Sequence, residues 1–310
     1  MGAALLRIDD ATPPPGAGAC ALVVGNFDGV HLGHQAVLRQ AVEGARAGSL
    51  ATSVLTFDPH PAAVVGAGAP PRLTTLERRT ELMGELGVDS VFVRKFDASF
   101  AAWQPEKFVR DLVVGALRAR IVVVGQNFRF GAKRAGDMSL LTKLGAELGF
   151  EVRVHATAAD ARGPYSSTRA REAIAAGDVA EAAHVLGRPH ALSGPIVHGD
   201  ERGRTIGFPT ANLDAAEMLP ADGVYKTLVD ELGPGGSARR LAAGVTNVGV
   251  RPTVGGSRRT VETYLLDFEG DLYGANLRVH LVAHIRGERR FGSLDELKAQ
   301  IARDVAAARG

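Results

Sequence analysis

The chain has 310 residues, 45% of them apolar and 23% charged, a balance that excludes extended disorder as the main state. At roughly 100 to 200 residues per domain this length favours two units over one. A formal charge of +2 excludes a whole-molecule field suited to nucleic acid or anionic membrane, so the pairs Arg78-Arg79 and Arg258-Arg259 read as solvated surface.

The first ten residues hold too short an apolar run for a signal peptide, and Leu6 stands where a myristoylation signal carries Ser or Thr. No segment approaches the ~20 apolar residues that span a bilayer, and Cys20, the one cysteine, can form no internal disulfide. A cytoplasmic enzyme or binding protein acting on small molecules, without membrane or nucleic-acid partner, is the expectation; its oligomeric state is open and a monomer is compatible. From there to about Gly187 short β-branched runs alternate with helical patterns. Ala21–Val24, Ser53–Phe57, Ser90–Val93, Ile121–Val124 and Glu151–Val154 read as buried parallel strands, with helices over Thr75–Leu86, Pro105–Leu117 and Ser139–Leu148. Thr12–Gly18 and Val65–Pro71, rich in Pro, Gly and Ala, read as loops. The alternation predicts a Rossmann-like, doubly wound α/β sheet.

Two further helices follow, Thr168–Ala176 and Val179–Leu186, the second opened by a capping box of Asp178 with Glu181. Beyond Ala191 the texture turns to glycine-punctuated alternation, as in Val224–Val229, Thr260–Leu266 and Leu277–Val282, which predicts an antiparallel sheet or small β-barrel. A second capping box, Ser293 with Glu296, opens a terminal helix with Leu294, Leu297, Ile301 and Val305 on one face; Phe291 and Leu294 read as packing residues.

The first chemical constellation is Gly25-Asn-Phe-Asp-Gly-Val-His-Leu-Gly-His34, where a strand ends at a glycine and a helix can begin near Gly33. Such a junction aims free backbone N–H groups at an anion, with Gly29 and Gly33 permitting close approach. His31 and His34 offer ring donors to phosphate oxygens whose charge grows as pyrophosphate departs. Two histidines three apart also suit a metal, although zinc wants a third ligand that no nearby Cys or His supplies.

This loop resembles the His-x-Gly-His signature of nucleotidyltransferases, shared by class I tRNA synthetases and cytidylyltransferases. With Thr56-Phe-Asp-Pro-His-Pro61, Val124-Gly-Gln-Asn-Phe-Arg-Phe-Gly131, Gly136-Asp137 and Ser166-Ser-Thr-Arg-Ala-Arg171, it resembles prokaryotic bifunctional riboflavin kinase/FAD synthetases. The resemblance implies that the N-terminal half joins FMN to AMP from ATP. It implies ATP phosphate contacts from Gly25, Asn26, Phe27, Asp28, Gly29 and Gly33, and from Ser167 and Thr168 at a helix start. Arg171 is implied as the triphosphate clamp, and Asn127 and Phe128 as flavin contacts. By their types alone Asn127 equally suits a turn cap and Arg171 a surface charge. Tyr165 and Ala170 depart from the larger aliphatic residues of the pattern, which bears on helix placement more than on chemistry.

The second constellation is Gly199-Asp-Glu-Arg-Gly-Arg-Thr-Ile-Gly-Phe-Pro-Thr-Ala-Asn212. It suits a glycine-rich phosphate flap through Gly199, Gly203, Arg204 and Gly207, with Thr210 and Asn212 as oxygen ligands for Mg²⁺, or else a turn before an edge strand. Pro209-Thr-Ala-Asn212 resembles the riboflavin kinase signature, as do Leu219–Tyr225 and Gly244–Thr253. Glu262, in Thr260–Phe268, then matches the strand bearing the family's catalytic glutamate. A carboxylate suits a general base for the ribityl hydroxyl; a solvent-facing strand Glu is the alternative.

The resemblance therefore implies an FMN adenylyltransferase domain over 1–186 and a β-barrel riboflavin kinase domain over 187–310. ATP and Mg²⁺ serve both, with riboflavin, FMN and FAD as substrates and products. Competing readings are a different nucleotidyltransferase fused to an unrelated barrel, which Pro209–Asn212 opposes, and a flavin-binding protein without turnover. A tRNA synthetase lacks its Lys-Met-Ser-Lys-Ser-type loop here.

Overall fold

Alternation along the strand β2 (Cys20–Val24) sets the first architecture: Cys20, Leu22 and Val24 enter one apolar core, Ala21 and Val23 another. A strand buried on both faces requires helices on both sides of its sheet. The computed structural model describes residues 3–8, 18–66, 68–198, 207–253 and 256–310. Two units result, Met1–Pro70 with Leu76–Ser166, and Pro71–Thr75 with Ser167–Gly310.

The first unit holds six parallel strands: β1 (Ala4–Ile8), β2, β3 (Ala51–Asp58), β4 (Ser90–Lys95), β5 (Ala119–Gly125) and β6 (Glu151–His155), in the order β1-β4-β3-β2-β5-β6. On one face lie α1 (Leu32–Ala47) and α3 (Leu76–Glu85), contributing Leu38, Ala41, Leu82 and Met83 to one core. On the other lie α6 (Met138–Leu148) and the segment opened by α5 (Pro105–Lys107). Short helices α2 (Pro61–Val64) and α4 (Ala98–Ala101) follow β3 and β4, and a small ribbon pairs β7 (Ala159–Asp160) with β8 (Gly163–Pro164).

Two details differ from the sequence expectation. The edge strand β1 is an addition that pairs parallel to β4; its five residues, with Arg7 among them, are too few to show a period. The expected helix Pro105–Leu117 is α-helical only over α5, and Phe108–Ala116 winds as a π-helix that buries Phe108, Val109, Leu112, Val113 and Ala116.

Because β3 lies on one side of β2 and β5 on the other, the strand order reverses between β2 and β5. In open α/β sheets ligands bind in the crevice at the carboxyl ends of such a pair.

The second unit begins with α7 (Ser167–Ala175) and α8 (Val179–Leu186), where Asp178 accepts from the Glu181 N–H at 2.9 Å as its capping box predicts. Six antiparallel strands then close a barrel: β9 (Ala191–Val197), β10 (Thr210–Leu213), β11 (Gly223–Leu232), β12 (Ala238–Thr253), β13 (Gly256–Leu265) and β14 (Asn276–Gly287). Its interior takes Leu192, Tyr225, Val229, Val248, Val261, Leu277, Val279 and Leu281. A buried hydroxyl chain, Thr227 to Thr246 at 3.0 Å and Thr246 to Thr263 at 2.9 Å, satisfies the polar groups within that interior.

The terminal helix α9 (Leu294–Arg309) packs on the barrel exterior, but its buried stripe is Gln300, Asp304 and Ala308. The expected packing residue Leu294 is 54% exposed instead. The cause is electrostatic: Arg286 of β14 grips both Asp304 oxygens at 2.8 to 3.1 Å, and Gln300 donates to Asp304 at 2.8 Å, so a polar row occupies the inner face. Among the described residues no helix is long and apolar enough to cross a membrane.

Candidate active sites

The loop from Gly25 to His34 leaves β2 beside the point where the strand order reverses. Its backbone is unusual: Phe27, Gly29 and Val30 all have positive φ, at 53°, 85° and 40°. For a β-branched residue such as Val30 this is a strained conformation, held only when its surroundings over-determine it. They do: Val30 N–H donates to Phe27 O at 3.0 Å, and the Gln35 amide donates to Val30 O at 3.0 Å. Gly33 is required for space, since a Cβ there would stand 2.9 Å from Tyr165 O and 3.0 Å from the His31 ring.

His31 is the N-cap of α1, its Nδ1 accepting the His34 N–H at 3.3 Å. In the neutral ring this leaves the proton on Nε2, a donor. The His34 ring stacks on His31 at a centroid distance of 3.6 Å and 24°, and its Nδ1 is buried without a hydrogen-bond partner among the described residues. Burial first, then the neighbouring His31 and Arg79, hold the His34 imidazole well below its usual range, which favours the neutral ring. No acidic side chain occupies the first turn of α1, whose free N–H groups favour an anion.

Within the loop, Phe27 and Asp28 turn inward, 3% and 5% exposed, while Gly25, Asn26 and Gly33 are half-buried. Asn26 shares a 3.0 Å hydrogen bond with His60, and Asp28 pairs with Arg79 at 3.6 Å. Arg79 therefore overturns the expectation of a solvated pair: its side chain is inside, because a loop with inward carbonyls needs a buried donor. Arg78 is also largely covered, bound to Glu81 at 2.7 Å and Glu85 at 3.3 Å. Arg259 pairs with Asp222 at the surface.

Asn127 lies exposed in the tight turn that follows β5, closed by Phe128 N–H to Gly125 O at 3.0 Å. Phe128 stacks on Phe130 at 5.5 Å and 18°. Ser167 and Thr168 begin α7 in the second unit, where Arg171 is half-buried and its Nε donates to Pro71 O at 2.7 Å. The site on the first unit thus gathers His31, His34 and their loop; the α7 residues are described with the second unit.

On the barrel, register assembles the other constellation. Asn212 stands opposite Glu262 across β10 and β13, and Asn247 opposite the same Glu262 across β12 and β13. Two residues along, Thr210 and Val245 flank Tyr264 in the same way, so by the period of two all six share the exterior face. A cavity of about 350 Å³ opens there, lined among others by Thr210, Asn247, Glu262, Tyr264, Phe291 and Ile301. A second, of about 600 Å³, is lined by Pro209, Thr210, Phe268, Asp271, Leu272 and Tyr273. Thr210 lines both.

Asn247 was not singled out from sequence; only its registry with Glu262 marks it. Phe291, expected in packing, lines the smaller cavity with the Arg289 guanidinium 4.9 Å from its ring centroid. Gly207 has φ 89°, which glycine adopts freely. Gly199, Gly203 and Arg204 lie outside the described residues. Among the described residues no three His, Cys, Asp or Glu gather around a metal position. The oxygens of Thr210, Asn212 and Glu262 form a hard donor set, the kind Mg²⁺ uses together with phosphate and water.

Comparison with known proteins follows the same division. The family model described as FAD synthetase matches residues 14–169, and that described as riboflavin kinase matches residues 186–310. Arg171 lies just beyond the first of these. The chain is 47% identical over 292 residues to a bifunctional riboflavin kinase/FMN adenylyltransferase of Escherichia coli (strain K12), covering 94% of this chain and 92% of the relative. A protein of the same description from Haemophilus influenzae is 38% identical, covering 94% and 93%. A solved structure described as a macrolide-efflux protein from Streptococcus pneumoniae superposes with a TM-score of 0.86 at 30% identity, covering 99% of each chain.

Proposed function

The chain belongs to the family of bifunctional riboflavin kinase/FMN adenylyltransferases, and from that premise we propose how its own residues divide the two reactions. It phosphorylates riboflavin with ATP to FMN and adenylylates FMN with ATP to FAD and pyrophosphate. The kinase activity is assigned to about residues 187–310 and the adenylyltransferase to about 1–186, in a cytoplasmic setting that suits a chain whose one cysteine is buried and free.

The observation that carries the kinase assignment is the cross-strand row Asn212, Glu262, Asn247, of which Glu262 and Asn247 line a cavity that shares Thr210 with its neighbour. Riboflavin occupies the smaller cavity, against Tyr264 and Phe291, and the nucleotide the larger. Glu262 takes the proton of the ribityl 5′-hydroxyl as its oxygen bonds to the γ-phosphorus and the bond to the departing ADP oxygen breaks. Thr210 and Asn212 would hold Mg²⁺, which would supply positive charge to the phosphates. Gly199, Gly203, Arg204 and Gly207 are the proposed phosphate flap.

In adenylyl transfer an oxygen of the FMN phosphate attacks the α-phosphorus of ATP, and the bond to the β-phosphate oxygen breaks. His31, through Nε2–H, and the neutral His34 ring donate to the phosphate oxygens as charge moves onto pyrophosphate. The N-terminus of α1 supports the same charge, and Asn127 and Phe128 contact the flavin. Ser167, Thr168 and Arg171 are assigned to ATP phosphates by the motif alone.

The test incubates the purified chain with riboflavin, ATP and Mg²⁺ and resolves the flavins by chromatography. FMN and FAD should both form. Glu262→Gln should stop FMN formation while FAD still forms from supplied FMN; equal loss of both would sink the two-site assignment.

A further inference from the structure

We infer that Arg79 is a positioning residue for adenylyl transfer, holding the phosphate loop in its strained form and standing as a fixed positive charge behind the two histidines. This rests on the assignment of that loop to FAD formation. Arg79 projects from α3 and is 8% exposed. Its Nη1 donates to the Asn26 carbonyl at 2.8 Å and reaches the Thr56 hydroxyl at 3.4 Å, while Nη2 lies 3.6 Å from Asp28 Oδ1. The Thr56 hydroxyl donates to the same Asn26 carbonyl at 3.1 Å. One guanidinium therefore ties the first residues after β2 to the end of β3 and to the loop's buried carboxylate.

The need for such a tie lies in the backbone. Phe27 and Val30, bracketing Gly29, sit at φ of 53° and 40°, conformers that persist only where the surroundings over-determine them. A fork with five fixed donors can brace a carbonyl, a hydroxyl and a carboxylate at once, which a lysine cannot.

The second role is electrostatic. The titratable and charged groups facing the His34 ring are His31 from the start of α1 and Arg79 from α3, whose partner Asp28 comes from the loop. A permanent cation there disfavours a proton on His34 while adding positive potential where pyrophosphate charge develops. His34 remains a neutral donor, and the positive field needs no proton.

The test measures FAD formation from supplied FMN against pH, and riboflavin phosphorylation in parallel, for Arg79→Gln and Arg79→Lys. Displacing the loop by about 1 Å can cost ~10²-fold, so Arg79→Gln should lower kcat by that order with smaller changes in KM. Its acid limb should move up toward the ordinary histidine value of about 6.5. Arg79→Lys keeps the charge but not the fork, so kcat should fall about tenfold while the acid limb stays in place. Kinase turnover should be unchanged in both. If Arg79→Gln does not fold, Arg79→Lys decides alone, since wild-type kcat there overturns the inference. An Arg79→Gln loss without movement of the acid limb also overturns it. His31→Ala run alongside separates the premise: if His31→Ala still makes FAD, the assignment of the loop fails, whereas loss in His31→Ala with a normal Arg79→Gln fails only the inference.

Discussion

The loop proposed for phosphate in the first unit and the carboxylate row proposed for the kinase on the barrel are built in opposite ways. The loop is ten consecutive residues whose geometry comes from backbone strain, an N-cap histidine and a buried arginine. The barrel row takes single residues from three strands and aligns them through hydrogen-bond register, with ordinary backbone on β10 and β13. A loop site depends on what holds the loop; a register site depends on the barrel staying closed and its exterior covered. Substitutions should therefore fail in different ways on the two sides.

The largest effect is expected at the barrel row. Glu262→Gln removes the proposed general base and should lower riboflavin phosphorylation ~10²–10⁴-fold, with FAD formation from FMN unaltered, as read by flavin chromatography. Next, His31→Ala removes both a donor and the α1 cap, and should cost FAD formation ~10²–10³-fold while leaving the kinase intact.

Asp304→Ala strands the Arg286 guanidinium that anchors α9 beside the cavity proposed for riboflavin. Breaking a buried pair costs about 3–5 kcal/mol, so thermal unfolding should shift down and the riboflavin KM should rise before kcat falls. Gly33→Ala places a Cβ 2.9 Å from Tyr165 O, and should cost about 1–3 kcal/mol with a selective loss of FAD formation. If Gly33→Ala weakened both activities equally, the contrast between the two constructions would blur.

The smallest effect is in pH. His34 has a folded pKa below its unfolded value of about 6.5, so between the two the unfolded chain binds more protons. The stability it contributes is complete above about 6.5 and is lost as pH falls through the folded value. Denaturant titrations at pH 7.5 and 5.5 should show this difference, and His34→Gln should reduce it.

The same contrast explains what the sequence displays. A contiguous motif carries its meaning in order, so His31, Gly33 and His34 are visible with no coordinates. Glu262 is visible because its own strand matches a family pattern, but Asn247 is 15 positions away and joins it only through register. Arg79 is hidden for a related reason: a charged pair on a helix reads as surface, and only the fold shows that α3 turns one guanidinium beneath the loop. The alternation of the β-branched runs β2 to β6 with helical patterns announced the parallel sheet, whereas β1 is too short to stand out and the π-helical winding of Phe108–Ala116 leaves no mark on composition. On α9 the apolar period marked Leu297, Ile301 and Val305, which are half-buried, but not the exposure of Leu294 or the buried Arg286–Asp304 pair beside them.

Two independent sites on one chain are tested most directly by mixing the two disabled proteins. Glu262→Gln and His31→Ala are each supplied with riboflavin, ATP and Mg²⁺, alone and together, and FAD is measured. Neither should make FAD alone, and the mixture should, because FMN released by one chain diffuses to the other. A mixture that makes no FAD, with each protein still performing its remaining half-reaction, would contradict the account.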